Sequence, residues 1–199
     1  MRQERRPGIG MVHEVEERIA YLALRLRNAL LCAWLRHRGL RLGPGVRIHP
    51  GALVDAKGGQ IEIGLNSTIH SGARLVAANG FIKIGEYCSV NPGCLLYGNG
   101  GLTIGNFVRI AGNSVIIPAN HCFDDLSRPI FRQGELRRGI KIGDDVWLGA
   151  AVTVLDGVTI ANGCVVGAGA VVTRSTQSNG VYVGNPAKCI RFRGVGRKQ

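Results

Sequence analysis

Aromatic residues make up only 6% of the 199-residue chain, and methionine occurs twice. That scarcity argues against a wide core of large rings and suits a narrow one of Ile, Val, Leu, Ala and Cys. It also argues against stacking on nucleic-acid bases, since no ring interleaves with the basic runs and no nucleic-acid module is visible. Acidic residues are few, 13 against 25 Lys and Arg, which leaves a net charge of +12. The six cysteines have no paired spacing, so no disulfide framework is expected, and the protein is read as reduced and cytoplasmic. No secretory leader is expected either, because Glu14, Glu16 and Glu17 precede any apolar run. A membrane span over residues 12–38 is disfavoured by Arg25, Arg27 and Asn28 in its middle.

What the chain does have is thirty glycines and a six-residue period. Large aliphatic residues fall at Ile142, Leu148, Val154, Ile160, Val166 and Val172. Small or β-branched residues follow four positions on, at Val146, Val152, Val158, Cys164 and Ala170. A helix needs spacings of three and four, and a half-buried strand needs two. Six fits short strands joined by tight corners, each hexapeptide forming one side of a solenoid coil. The same period appears earlier as triplets: Leu42, Ile48 and Val54; Ile63, Ile69 and Leu75; Ile84, Val90 and Leu96; Ile104, Ile110 and Ile116. Those triplets start 21, 21 and 20 residues apart, so each early coil carries two or three extra residues at one corner, at Lys57-Gly58-Gly59, Asn79-Gly80 and Asn99-Gly100-Gly101. The 38-residue gap from Ile104 to Ile142 holds one coil plus a long loop, placed at 118–139.

Residues 1–39 form a helical preface, with Val12, Val15, Ile19, Leu22, Leu26, Leu30 and Ala33 tracing an apolar face over 12–38. The expected role is packing on the open end of the solenoid or on a neighbouring subunit; the alternative is a basic helix lying weakly on an anionic membrane surface. Residues 40–193 form the solenoid, and 194–199 a basic tail. Much of the positive charge lies at the two ends, which suits a phosphate-bearing cofactor or an anionic surface.

Of five histidines, His13 and His37 lie in the helical segment, and His49 and His70 stand one coil apart in an outward column without an obvious third metal ligand. His121 differs, opening the long loop in Pro118-Ala119-Asn120-His121-Cys122-Phe123-Asp124-Asp125. Asn91 follows Val90 as His70 follows Ile69, placing it in the same column, where it also reads as a turn residue before Pro92.

The hexapeptide rows, the loop with Asn120-His121, the run Ile142-Gly143-Asp144-Asp145-Val146-Trp147-Leu148-Gly149 and the ending Val183-Gly184-Asn185-Pro186-Ala187-Lys188 together resemble one family. It is the hexapeptide-repeat acyltransferases, in the maltose and galactoside O-acetyltransferase-like branch. The resemblance covers residues 40–193. It implies a left-handed parallel β-helix, a homotrimer with sites between subunits, acetyl-CoA as co-substrate, no metal, and a sugar or glycan acceptor. Handedness comes from the resemblance alone, because parallel crossovers are otherwise right-handed.

Acetyl transfer to a hydroxyl needs a base, oxyanion stabilisation and an aligned pantetheine arm. The resemblance assigns the base to His121 and acceptor binding to Asn91, thirty residues earlier. The family's acidic sugar contact near this level is matched here by Asn99. Asp124, Asp125 and Glu135 are alternative acids to orient His121, and Cys122 is read as a bystander because transfer in the family is direct. Donor contacts map to Ala150, Ala168, Thr173 and Arg174, with Arg174, Lys188 and Arg191 suited to the nucleotide phosphates. Ala150 stands where the relative has a serine, so a backbone contact is what carries over. Trp147 is a candidate pocket wall or interface residue. The competing functions are a γ-type carbonic anhydrase on the same solenoid, which needs three converging histidines, and a non-catalytic scaffold.

Overall fold

The computed structural model describes residues 39–194 together with Ile19 and Leu22. The helix expected over 12–38, with His13, His37 and Cys32, lies outside the described residues apart from those two, both exposed. From Leu40 onward the chain winds as a parallel β-solenoid with three flat faces.

The first face stacks Leu40–Leu42, Gln60–Ile63, Phe81–Ile84, Leu102–Ile104, Ile140–Ile142 and Thr159–Ile160. The second stacks Arg47–Ile48, Thr68–Ile69, Ser89–Val90, Arg109–Ile110, Trp147–Leu148, Val165–Val166 and Gly180–Val183. The third stacks Leu53–Asp55, Arg74–Val76, Leu95–Tyr97, Val115–Ile116, Thr153–Val154 and Val171–Val172. The triplets of the six-residue count therefore sit directly above one another. Ile63, Ile84, Ile104, Ile142 and Ile160 form one column in strict register. Ile69, Val90, Ile110, Leu148 and Val166 form another. Leu75, Leu96, Ile116, Val154 and Val172 form the third. Every one of these side chains is 4% exposed or less.

Small inward residues fill the angles between the columns. Ser67 and Ser114 are fully buried there, and their hydroxyls are satisfied: Ser67 donates to the Gly85 carbonyl (2.8 Å), and Ser114 to that of Ala111 (2.9 Å). Cys88, Cys94 and Cys164 occupy the same slots as buried free thiols. Burial raises the Cys88 and Cys94 thiols above their ordinary range, which keeps them protonated and unreactive. A fourth large column, Leu40, Ile61, Ile82, Leu102 and Ile140, escapes the six-residue count. The corner insertions of the early coils displace it and lengthen the first-face strands.

The corners require left-handed backbone, supplied by Gly45, Asn66, Asp145, Gly163 and Asn179 along one edge. The same edge has a ladder of side-chain acceptors. Asn106 Oδ1 takes the Glu86 N–H at 2.9 Å, Asp144 Oδ1 the Asn106 N–H at 2.6 Å, and Asn162 Oδ1 the Asp144 N–H at 3.0 Å. Tyr87 and Phe107 also adopt positive φ on this edge, and their rings stack at 5.6 Å.

Two features depart from the hexapeptide count. The long loop is a braced hairpin, in which Asn120–His121 pairs antiparallel with Glu135–Leu136 around a short 3-10 turn at Ile130–Arg132. After Val172 the chain adds Gly180–Val183 to the second face, then returns antiparallel as Lys188–Phe192. Arg193 fastens that return, donating to Asp145 Oδ2 and the Gly163 carbonyl, both at 2.8 Å.

A coil touches mainly its neighbours, so a hole in one column has little freedom to close. Leu148→Ala is expected to lower unfolding free energy by about 2–5 kcal/mol, whereas Thr103→Ala on the exposed first face changes it by about 0.5 kcal/mol or less. Urea denaturation of both variants checks this.

Candidate active site

The insertion leaves the solenoid at the corner between the third and first faces, and its root is fixed. The Asp156 carboxylate accepts the Arg138 N–H (3.0 Å) and the Gly139 N–H (2.9 Å), closing the base of the loop onto the next coil. His121 is held by backbone pairing on one hairpin strand, directly opposite Glu135. The imidazole is exposed, and among the described residues no side chain or carbonyl is hydrogen-bonded to it. It is an exposed ring on a firm backbone, with both nitrogens open among the described residues.

The three candidate acids are placed differently. Asp125 is used by the loop itself: one oxygen accepts the Ser127 N–H (2.9 Å) and hydroxyl (2.6 Å), the other the Arg128 guanidinium (2.6 Å). Those donors hold the Asp125 carboxyl below its ordinary range, the Ser127 hydroxyl first. Gln133 completes the brace, with its amide oxygen accepting the Asp125 N–H and its nitrogen donating to the Asp125 and Arg128 carbonyls. Glu135 faces His121 across the hairpin while bonded to Arg137 at 3.0 Å. Asp124 is exposed.

Asn91 stands at the corner between the second and third faces, its amide nitrogen donating to the Ile110 carbonyl at 2.8 Å. The column beneath it is His49 and His70, whose rings stack at 5.0 Å. Among the described residues no group of three His, Cys, Asp or Glu side chains converges as a metal ligand set. Ala150 and Ala168 lie one coil apart on the same corner as Asn91, both exposed. The backbone around them is close-packed: a Cβ on Gly149 would come within 2.6 Å of the Ala168 nitrogen, and the Ala150 carbonyl accepts the Gly169 N–H at 2.8 Å. Lys188 pairs with Val183 just past this corner, while Arg191 pairs with Val181 further along the second face.

The structure thus groups Asn91, Ala150, Ala168 and Lys188 along one edge of the third face. Thr173 and Arg174, both exposed, follow Val172 at the other edge, the one from which the His121 hairpin rises. Trp147 points outward from the second face, 54% exposed, between Arg109 and Val165. One residue was undervalued by sequence reasoning. Asn99 lies in the turn below the insertion, and its Oδ1 is buried without a hydrogen-bond donor among the described residues. A buried acceptor left unpaired is costly, which sets Asn99 apart from the other turn residues. Only its position beneath the loop could have signalled this from the sequence.

Residues 139–174 match the family described as bacterial transferase hexapeptide (six repeats). The chain is 39% identical over 92 residues to a probable acetyltransferase of Mycobacterium tuberculosis, a match spanning 46% of this chain and 31% of the relative. It is 46% identical over 91 residues to a putative acetyltransferase of Schizosaccharomyces pombe, spanning 45% and 42%. The match thus spans less than half the length of either curated relative. Among solved structures it is similar to AntD, an N-acyltransferase from Bacillus cereus in complex with dTDP and 3-hydroxybutyryl-CoA, with TM-score 0.70 and 26% identity, covering 81% of this chain and 87% of that one. A maltose O-acetyltransferase from Clostridium difficile gives TM-score 0.52 and 25% identity over 78% of this chain and 71% of that one.

The Asp125 brace has a pH dependence of definite sign. Its folded carboxyl titrates below the unfolded one, so the brace contributes fully above the ordinary aspartate range and is lost as pH falls through the depressed value. Hydrogen exchange at the backbone amides of residues 125–133 is expected to accelerate in strong acid, after allowance for intrinsic rates, before the solenoid amides respond. Asp125→Asn is expected to bring the same loosening at neutral pH.

Proposed function

We propose that the chain is an acetyl-CoA-dependent acyltransferase that acetylates a hydroxyl of a sugar or glycan. The observation that carries this reading is His121, an exposed imidazole without a partner among the described residues on a braced hairpin, beside a solenoid similar over four-fifths of its length to an acyl-CoA-bound acyltransferase. In the reaction, His121 takes the acceptor hydroxyl proton as the oxygen attacks the thioester carbonyl. The C–S bond breaks, the acetyl group passes to the acceptor oxygen, and the proton goes from the imidazole to the departing thiolate. Glu135, opposite on the hairpin and ion-paired with Arg137, is the acid placed to orient the ring when it exchanges partners. Asn91 holds an acceptor hydroxyl. Ala150 and Ala168, with no bulk beyond Cβ, leave room for pantetheine along their corner. Thr173, Arg174, Lys188 and Arg191 serve the far end of the coenzyme.

His121 and Asn91 leave the solenoid at opposite edges of the third face, so the site is completed by apposing one copy's hairpin to another's corner. The outward surfaces support this. The first face presents Arg41, Glu62, Lys83 and Lys141 to water, whereas the third presents half-buried Val76, Leu95, Val115 and Leu155. A flat apolar face of this kind fits a homotrimer of left-handed β-helices. The solenoid is accordingly read as one domain over 40–193. No helix among the described residues is long and apolar enough to cross a membrane.

A second reading is favoured by the likeness to AntD, one of whose variants was solved with a dTDP-linked 4-amino sugar and coenzyme A: transfer to an amine of a nucleotide-linked sugar. Labelled acetyl-CoA with glycan and nucleotide-sugar acceptors separates the two. An ester product is released by alkaline hydroxylamine; an amide survives.

His121→Ala is expected to keep the melting temperature and to lower kcat by about 100-fold or more. Near-normal turnover would remove His121 from the role of base. Arg174→Ala is expected to raise the KM for acetyl-CoA by about 5–50-fold with the acceptor KM unchanged, as for loss of one charge-assisted contact. Initial-rate kinetics with both substrates varied check this.

A further inference from the structure

The charges of the solenoid are segregated. The corner between the second and third faces, which runs from His49 at one end to Asn185 at the other, holds no Asp or Glu in any coil. The acids of the described residues lie elsewhere: Glu62 on the first face, Asp55, Glu86, Asp144, Asp145 and Asp156 at its two corners, and Asp124, Asp125 and Glu135 on the hairpin.

The acid-free corner carries donors instead. His70 stands one strand below Asn91, its ring stacked on that of His49 at 5.0 Å. Arg74 opens the third-face strand four residues on, so it borders the same corner. Its outward column reads Leu53, Arg74, Leu95, Val115, Thr153 and Val171, and Arg74 is the one charge in it. The Arg74 side chain is exposed, and among the described residues no carboxylate or carbonyl is bonded to it. Asp55 ends the strand beneath, but its carboxylate accepts the Lys57 N–H at 2.9 Å. A guanidinium set into an apolar column at the edge of an acid-free corner is suited to hold a carboxylate or phosphoryl group in its planar fork.

Position decides which substrate it serves. Ala150, Ala168 and Lys188, assigned above to the donor, lie on the C-terminal side of Asn91, and His70 lies on the other. Six strand spacings separate the His70 level from the Lys188 strand, about 29 Å, too far for one anionic group to reach both. With the donor on the C-terminal side, the remainder of an acceptor held at Asn91 extends over His70 and Arg74.

We propose that the acceptor carries an anionic group, phosphoryl or carboxylate, and that Arg74 and His70 form its seat about one coil, roughly 5 Å, from Asn91. Arg74 supplies charge and paired N–H donors, His70 a ring N–H, and no carboxylate on the corner cancels their field. The direction in which the acceptor lies rests on the acyltransferase reading. A hairpin apposed from another copy brings Asp125 and Glu135 already paired with Arg128 and Arg137, and Asp124 unpaired among the described residues. The test separates that carboxylate from one on a ligand.

The full chain, saturated with coenzyme A to occupy the donor's phosphate contacts, is titrated calorimetrically with glucose 1-phosphate, glucuronic acid and glucose. At least one anionic sugar is expected to bind roughly tenfold or more tightly than glucose, and the tighter of the two tells phosphoryl from carboxylate. Arg74→Gln is expected to bring that sugar to the affinity of glucose, with coenzyme A binding and the melting temperature unchanged. Lys188→Gln is expected to do the reverse, weakening coenzyme A and leaving the anionic sugar bound. Equal affinity for all three sugars, or no measurable binding of any, overturns the proposal. So does an anionic preference that survives in Arg74→Gln, which places the anion elsewhere on the basic chain. So does a lower mass of Arg74→Gln by light scattering, which makes Arg74 the partner of Asp124 in another copy. Failure of coenzyme A to bind removes the acyltransferase reading instead, and the same titrations run without it still decide the seat.

Discussion

Parallel hydrogen bonding in strict register is the constraint from which the rest of the molecule follows. A parallel ladder places equivalent residues one above another, so a large aliphatic residue in one coil is covered by a large one in the next. The column from Ile63 to Ile160 and its two counterparts exist because the register never slips between faces. One residue of slip would turn each aliphatic side chain outward and its polar neighbour inward. Where the chain inserts residues, it does so at corners, leaving the ladders intact.

That rigidity is what makes the candidate site buildable. The third face supplies two fixed edges, one carrying Asn91, Ala150 and Ala168, the other carrying the His121 hairpin and Arg174. The hairpin is in turn pinned at its root by Asp156 and at its tip by Asp125 and Gln133. A loop of more than twenty residues would ordinarily lose much entropy on being ordered. Here short-range side-chain acceptors hold it, so the imidazole is presented by backbone that is fixed although the ring itself is exposed. The hairpin also joins two surfaces, the His121 strand near the solenoid and the apolar, arginine-bearing tip furthest from it.

Much of the fold was legible because a six-residue period has few physical solutions. Ile142 through Val172 fixed the coil size, and the extra Gly and Asn residues near 58, 79 and 100 located the expanded corner. The column Ile61, Ile82, Leu102 and Ile140 was not legible, since those same insertions break the count just where it lies. The pairing of Asn120–His121 with Glu135–Leu136 was also hidden: two-residue strands carry too little pattern to announce themselves. Of the site, His121 stood out by its place at the start of the insertion. The burial of the Asn99 oxygen did not, because solvent exclusion depends on the turn packing beneath Pro118 and on nothing in the local sequence.

The sequence alone determined the coil length, the three aliphatic columns and the position of the one long excursion, because these depend on residue spacing and on which side chains water expels. The tertiary structure alone decided which edge of the solenoid each functional side chain occupies. It also decided that Asp125 braces the loop while Glu135 faces His121, and that Lys188–Phe192 folds back under Arg193. Those outcomes depend on contacts between residues far apart in the chain, whose geometry exists only once the coils have stacked.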